Sequence, residues 1–235
     1  MSKISAIVLS AGKGKRMNTD VSKQYIEVFG KPVICYTLKA FEESDVDEII
    51  LVTGAQDTDY VKQDIVEKYG ISKVKHIVSG GAERYDSVIN GLELLEESDK
   101  VLIHDGARPL IKPEQINQII EEIKVSKACI AGMPVKDTIK LSDETGYVRE
   151  TPLREYVWQI QTPQAFDVSV VKSAYQKMRE ANDTSITDDA MAVEKYTDTE
   201  IKLVRMDYEN IKITTMEDLL FLKQVLEQRG MAGES

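Results

Sequence analysis

Along the first half of the chain, short apolar, β-branched runs alternate with segments whose apolar residues recur at helical spacing. "AIVL" precedes "VICYTLKAFEES", "EIILVTG" precedes "DYVKQDIVEKYG", and "KHIVSG" precedes "ERYDSVINGLELLEES". "KVLIHDG" then precedes "KPEQINQIIEEIKV", and "ACIAGMPV" closes the series. Strands alternating with helices of this length are βαβ units, which build a parallel sheet covered on both faces. The expected fold class is therefore α/β, a doubly wound, Rossmann-like, mainly parallel sheet. In such sheets ligands bind beyond the carboxyl ends of the strands, so the loops after each strand are where function should be sought.

One segment breaks the alternation. "PVKDTIKLSDETGYVRETP" alternates polar and apolar residues from Thr138 to Ser142, turns at "DETG" and returns through Tyr147, Val148 and Arg149. That pattern predicts a protruding β-hairpin arm over about 135–157. At about 3.3 Å per residue each seven-residue leg reaches roughly 23 Å, and a two-stranded ribbon is not stable alone. It lies either against a second copy of the chain, the economical arrangement, or back on its own domain. After it come "WQIQTPQAF", a helix from about Asp167 to Arg179, a short helix after "ITDDA", strands at "IKLVRM" and "NIKITT", and a closing helix from Met216. No repeat or low-complexity stretch divides the chain, so residues 1–235 are expected to form a single domain.

Composition narrows the function classes. With 42% hydrophobic and 30% charged residues, the chain reads as a folded soluble domain, and no apolar run approaches the roughly 20 residues of a membrane span. In "MSKISAIVLSAGKG" glycines and cations follow the apolar run where a signal sequence would stay apolar, so a cytoplasmic location is expected. The two cysteines, Cys35 and Cys129, lack the paired spacing of a zinc site and read as buried thiols. A net charge of -10 argues against nucleic-acid binding, which needs a broad basic face. Any anionic ligand must be held by a local cluster of cations.

Such a cluster follows the first strand. "LSAGKGKRMN" places Gly12 and Gly14 among Lys13, Lys15 and Arg16, with Lys23 further on in "SKQY". Glycines let backbone N–H groups approach phosphate oxygens closely. A Walker loop is excluded because Gly-Lys-Ser/Thr is absent, and Met17 stands where a dinucleotide fingerprint has glycine. The density of cations suits a triphosphate with its metal. Two further strand ends add to it. "SGGAERYDSV" offers the backbone of Gly80 and Gly81 and the Ser87 hydroxyl to a flat polar ligand such as a base. "IHDGARP" offers Asp105 to a metal or sugar hydroxyl, together with Arg108. His104 has no serine–carboxylate pattern around it and reads as structural. Loops of this kind converging on one sheet edge point to a nucleotide site.

"LSAGKGKRM", "KQY", "GGAERYDSV", "HDGARPLI", "PVKDTIK", "QTPQAF", "ITDDA" and "NIKITT" stand in the order and spacing of the 2-C-methyl-D-erythritol 4-phosphate cytidylyltransferases, which the chain resembles from about Ile4 to Leu222. The resemblance implies transfer of CMP from CTP to the polyol phosphate, with Mg²⁺ held mainly by the CTP phosphates and no dedicated metal ligands named on the chain. It also implies a homodimer whose arms cross between subunits. By resemblance, Arg16 and Lys23 stabilise charge building on the α-phosphate, and Arg154 and Lys212 position the attacking phosphate. Asp105, Arg108, Thr138, Thr162 and Thr187 resemble the sugar-phosphate contacts, with Thr138 and Arg154 coming from the partner's arm. Ser10, Ala11, Gly12, Gly14, Gly81, Ala82, Ser87 and Asp105 resemble the nucleotide contacts. The chain departs from the family's usual Pro-Ala-Ala-Gly at "LSAG" and from Gly-Gly-Asp-Glu-Arg at "GGAER".

The expected chemistry needs no general base. A phosphate monoester has a second pKa of about 6, so near neutral pH the attacking oxygen is already an anion. The difficulty is bringing one anion to another, which positioned cations relieve. Three alternatives remain at this level: a ribitol 5-phosphate cytidylyltransferase, a nicotinamide-dependent reductase and a non-catalytic binding dimer. The first typically reads Leu-Ala-Gly-Gly and Asp-Ala-Val-Arg-Pro where this chain has "LSAG" and "HDGARP". The second needs an acidic residue closing the second strand, which "EIILVTGAQ" does not supply.

Overall fold

The β-branched runs become strands because both of their faces find helices to cover them. A computed structural model of the chain describes residues 2–12, 22–95 and 97–231. The chain runs through β1 (Ile4–Ser10), the short strands β2 (Glu27–Val28) and β3 (Lys31–Pro32), α1 (Val33–Glu42) and β4 (Glu48–Thr53). A helix, α2, begins over Thr58–Tyr60 and continues with π geometry through Val61–Glu67. Then follow β5 (Val74–Ser79), α3 (Arg84–Leu92), β6 (Lys100–Asp105), α4 (Pro113–Val125) and β7 (Ala128–Pro134). The arm carries β8 (Leu141–Ser142) and β9 (Val148–Glu150). Last come β10 (Trp158–Asp167), α5 (Val168–Glu180), α6 (Asp189–Tyr196), β11 (Lys202–Arg205) and α7 (Met216–Gln228).

The central sheet has the order β11-β7-β10-β6-β1-β4-β5. Only β10 runs antiparallel, against both β6 and β7. Alternation along each strand splits the core into two layers. Ala6, Val8, Ile49 and Leu51 meet Ile34, Leu38 and Phe41 of α1 and Ile116 and Ile119 of α4. Ile7, Ile50 and Val52 meet Val88 and Leu92 of α3 and Val171 and Tyr175 of α5. Each large aliphatic side chain so buried contributes about 1.5–3 kcal/mol. A Leu51→Ala change, at a position with no solvent exposure, would cost about 2–5 kcal/mol.

The chain order reverses at β1, which sits between β4 and β6 with Leu9 in register with both Val52 and Asp105. The loops after β1 and β6 therefore leave the sheet side by side, and Gly106 N–H donates to Leu9 O at 2.8 Å. On the far side Gly80 N–H donates to Thr53 O at 2.8 Å, which carries the loop after β5 toward the same edge.

Two elements differ from expectation, and one left unassigned by the sequence becomes a strand. "NIKITT" forms no strand: Ile213 N–H donates to Ala107 O, while its neighbours serve other structures. Asn210 closes a turn on Asp207 O, and Thr214 and Thr215 donate to Asp218 Oδ2 at the start of α7. The arm's ladder is shorter than two seven-residue legs, with a register shift between Leu141 and Ser142. Its turn is built by the Asp143 carboxylate, which accepts from Thr145 N, Thr145 Oγ1 and Tyr147 N. "WQIQTPQAF" forms the longest strand, interrupted in register between Ile160 and Gln164.

Candidate active site

Beyond the carboxyl ends of β1, β5 and β6 lies a cavity of about 740 Å³, within the range of small-molecule sites. Ser10, Ala11 and Gly12 line one side, Gly81, Ala82, Arg84 and Ser87 the other, with Lys23, Asp105 and Lys212 between them. Loops separated widely in sequence thus converge at the topological switch point.

The walls are set by side chains working on the backbone. Gln24 Nε2 donates to Ser10 O (2.7 Å) and Gly12 O (3.1 Å), fixing the start of the glycine loop. Tyr25 Oη, next along, is bonded to Thr53 Oγ1 at 2.7 Å, and burial raises its pKa above the ordinary phenol value. Across the cavity, Ser87 Oγ accepts from Gly81 N–H at 3.1 Å and donates to Glu83 O at 3.3 Å. The Ser87 hydroxyl is buried within the loop it shapes. Glycine is required there by space: a Cβ on Gly81 would stand 2.2 Å from Asp86 Cβ, and one on Gly80 would stand 2.4 Å from Ala11 Cβ.

Asp105 is the electrostatic centre. Its carboxylate lies 2.9 Å from Lys212 Nζ, 3.4 Å from Arg84 Nε and 3.6 Å from Arg108 Nε. Burial opposes its charge, but Arg84, Lys212 and Arg108 together hold its pKa far below the usual carboxylate range. Beneath it a relay of neutral groups fixes the strand end. Asp105 N–H donates to Thr162 Oγ1 (3.1 Å), and Thr162 Oγ1 is bonded to His104 Nδ1 (3.0 Å). His104 Nε2 lies 3.5 Å from Arg108 O, which makes Nε2 the protonated nitrogen and Nδ1 the acceptor from Thr162. Burial lowers the His104 pKa to about 3, so this imidazole is neutral at pH 7. It is a structural group at the back of the site.

The 2-C-methyl-D-erythritol 4-phosphate cytidylyltransferase family model matches residues 4–228. The chain belongs to that family. A protein of this name from Lachnoclostridium phytofermentans is 51% identical over 228 residues, covering 97% of this chain and 98% of its own. One from Alkaliphilus oremlandii is 47% identical, covering 97% of each chain. The crystal structure of 4-diphosphocytidyl-2C-methyl-D-erythritol synthase from Anaerococcus prevotii superposes with a TM-score of 0.85 at 39% identity, covering 96% of this chain and 99% of that one.

Of the residues the family motifs single out, the cavity gathers Ser10, Ala11, Gly12, Lys23, Gly81, Ala82, Ser87, Asp105 and Lys212. Gly14 and Arg16, with Lys13 and Lys15, lie outside the described residues. Arg108 and Thr162 sit behind the cavity: Arg108 Nη1 donates to Asn210 O at 2.8 Å, and Thr162 is buried in the relay under Asp105. Thr187 is exposed just before α6, with Oγ1 3.5 Å from Met191 Sδ. Thr138 and Arg154 lie on the arm, exposed, and Arg154 Nη1 donates to Lys136 O at 3.2 Å.

Two residues of the family motifs matter here beyond those the sequence singled out. Gln24 stands inside "KQY" and Arg84 closes "GGAER". Arg84 touches the cavity and pairs with both Asp105 and Asp189. The presence of a cation in a glycine loop was the available signal; its carboxylate partner 105 residues away was not.

Proposed function

We propose that the chain catalyses transfer of CMP from CTP to 2-C-methyl-D-erythritol 4-phosphate, releasing pyrophosphate, in the non-mevalonate route to isoprenoids. The observation that carries this reading is the cavity at the switch point, where a glycine-loop wall, Lys23 and Lys212 surround one buried carboxylate in a chain that the family model spans almost entirely. A phosphate oxygen of the acceptor attacks the α-phosphorus of CTP; that P–O bond forms as the α–β bridging bond breaks, and pyrophosphate leaves with the electron pair. The acceptor arrives ionised, so no group on the chain has to take a proton. The neutral His104, buried behind Asp105, fits that requirement.

In this reading Arg16 and Lys23 neutralise charge on the α-phosphate, while Lys212, and Arg154 from a second copy, orient the acceptor. Gly14 joins Gly12 in the phosphate cradle. Asp105, Arg108, Thr138, Thr162 and Thr187 serve the sugar phosphate, with Arg108 and Thr162 acting from behind the wall. Among the described residues no three His, Cys, Asp or Glu side chains group to hold a metal, and Asp105 already faces three cations. In this reading Mg²⁺ would be carried in on the CTP phosphates, with Asp105 and Glu83 the carboxylates that line the cavity. Bound there, Mg²⁺ would supply positive charge to the departing pyrophosphate.

The whole chain is read as one domain acting as a homodimer through the arm. Support comes from the arm's exposed apolar side chains, Tyr147, Val148, Leu153 and Tyr156, the last 75% exposed. A cytoplasmic location accords with the reading, and no described helix is long and apolar enough to cross a membrane. The test is pyrophosphate release from CTP and Mg²⁺ by the purified chain, with 2-C-methyl-D-erythritol 4-phosphate and with ribitol 5-phosphate in parallel. Turnover with the first is expected; turnover with ribitol 5-phosphate alone, or with neither, sinks the reading. Sedimentation velocity tests the dimer, which a fully active monomer would exclude.

A further inference from the structure

The wall of the cavity beside Ala82 depends on groups that never reach it. Arg84 opens α3 and lines the cavity, with 29% of its side chain exposed. Its Nη1 and Nη2 donate to Asp189 Oδ1 (3.0 Å) and Oδ2 (2.8 Å), and its Nε donates to Asp105 Oδ1 (3.4 Å). One guanidinium therefore joins the carboxylate at the centre of the site to a second carboxylate that solvent does not touch, since Asp189 is fully buried.

Asp189 is held in turn. Tyr175 Oη of α5 donates to its Oδ1 at 2.5 Å. Gln164 of β10 clasps the first turn of α6, accepting from Ala190 N–H (2.9 Å) and donating to Asp188 Oδ2 (2.8 Å). A buried carboxylate is costly unless each oxygen has a partner, and here a two-pronged guanidinium and a phenol supply them. Burial opposes the charge on Arg84, yet Asp189 and Asp105 keep its pKa well above the ordinary value. A free arginine side chain carries about 2 kcal/mol of rotamer entropy. This one is oriented before any ligand arrives.

We propose that Asp189 is a positioning residue for the transfer: by gripping both terminal nitrogens of Arg84 it sets that guanidinium against Asp105 and keeps the nucleotide side of the cavity in shape. The proposal rests on the reading that CTP occupies this cavity against the Gly81–Ala82 loop. It ties β10, α5 and α6, through Asp189, to a wall built by α3 and β6. The clamp acts on nucleotide binding, so its loss raises KM for CTP more than it lowers kcat.

Steady-state kinetics on Asp189→Asn, Arg84→Lys and the double variant test this, with thermal unfolding measured on each. Asp189→Asn keeps the shape and removes the charge; Arg84→Lys keeps the charge and removes the fork. Each is expected to raise KM for CTP by about 10-fold or more, as a misplaced group does. The double variant should be no worse than the poorer single one to within about 3-fold, because both break one contact. If KM for CTP stays within about 2-fold of the parent in Asp189→Asn, or the two penalties multiply, the proposal is overturned. If Asp189→Asn does not fold, Tyr175→Phe decides: it leaves both charges in place, and KM for CTP should rise about 3-fold with kcat kept, as loss of one bond to a charged group allows. An unchanged KM there overturns it as well. Turnover by the parent in the same assay reports separately on the reaction itself.

Discussion

Replacing Asp105 by Asn removes one negative charge while keeping its volume, and the geometry fixes what that should cost. The carboxylate has cationic nitrogens at 2.9, 3.4 and 3.6 Å. At an effective dielectric of about 20, each such pair is worth about 5 to 6 kcal/mol before desolvation and screening. The Lys212 side chain is 36% exposed, so its share is discounted most. Desolvation offsets much of the remainder, and measured losses on breaking buried pairs run to about 3–5 kcal/mol. In a domain of this size 1 kcal/mol moves Tm by about 2–4 °C, so Asp105→Asn should unfold about 6–20 °C lower at pH 7.5. The cause can be separated from simple loss of packing. Lys212 and Arg108 then lose their carboxylate while Arg84 keeps Asp189, so adding inorganic pyrophosphate should raise the Tm of the variant by more than it raises that of the parent. Circular dichroism melts with and without pyrophosphate measure both. A variant melting within about 2 °C of the parent, or one no more responsive to the anion than the parent, would refute this view of Asp105.

Other outcomes follow from the same site. His104 has its pKa lowered by burial to about 3, against about 6.5 in the unfolded chain, so between those values the unfolded state binds the extra proton. Its contribution to stability is complete above about pH 6.5 and is lost as pH falls toward 3, with a slope of up to about 1.4 kcal/mol per pH unit. In His104→Asn the dependence of Tm on pH over that window should flatten; an unchanged slope would show that another group titrates there. Gly81→Ala puts a methyl 2.2 Å from Asp86 Cβ, which forces the loop off Ser87. Isothermal titration should show CTP affinity reduced by about 10-fold or more, and unaltered affinity would mean that the loop does not touch the nucleotide.

Much of this was legible in the chain itself, for reasons that differ from element to element. The parallel strands announce themselves because burial on both faces demands continuous apolar runs such as "EIILV" and "KVLI". The place of the cavity was legible because the switch-point rule sends the carboxyl ends of the strands and the loops after them to one edge: Gly12 and Gly81 follow β1 and β5, and Asp105 ends β6. Strand β10 was not legible as such: Pro163 interrupts its register, and its neighbours on both sides bury the Gln161–Phe166 stretch. "NIKITT" has a strand's alternation, yet its hydrogen-bonding groups cap α7 and close a turn instead. Local pattern cannot report such competition for donors. Nor can it report that Arg84 finds Asp189, since a pair formed across folded layers depends on where α3 and α6 are carried by the sheet.

The central claim is that two anionic reactants are brought together by fixed cations without a proton shuttle, and Lys23, which lines the cavity, is its most accessible test. The direct measurement is the single-turnover rate of Lys23→Ala with CTP, Mg²⁺ and 2-C-methyl-D-erythritol 4-phosphate all saturating. The account predicts a fall of about 100-fold or more, as for removal of one electrostatic stabiliser, in a variant that still folds; a rate near that of the parent would contradict it.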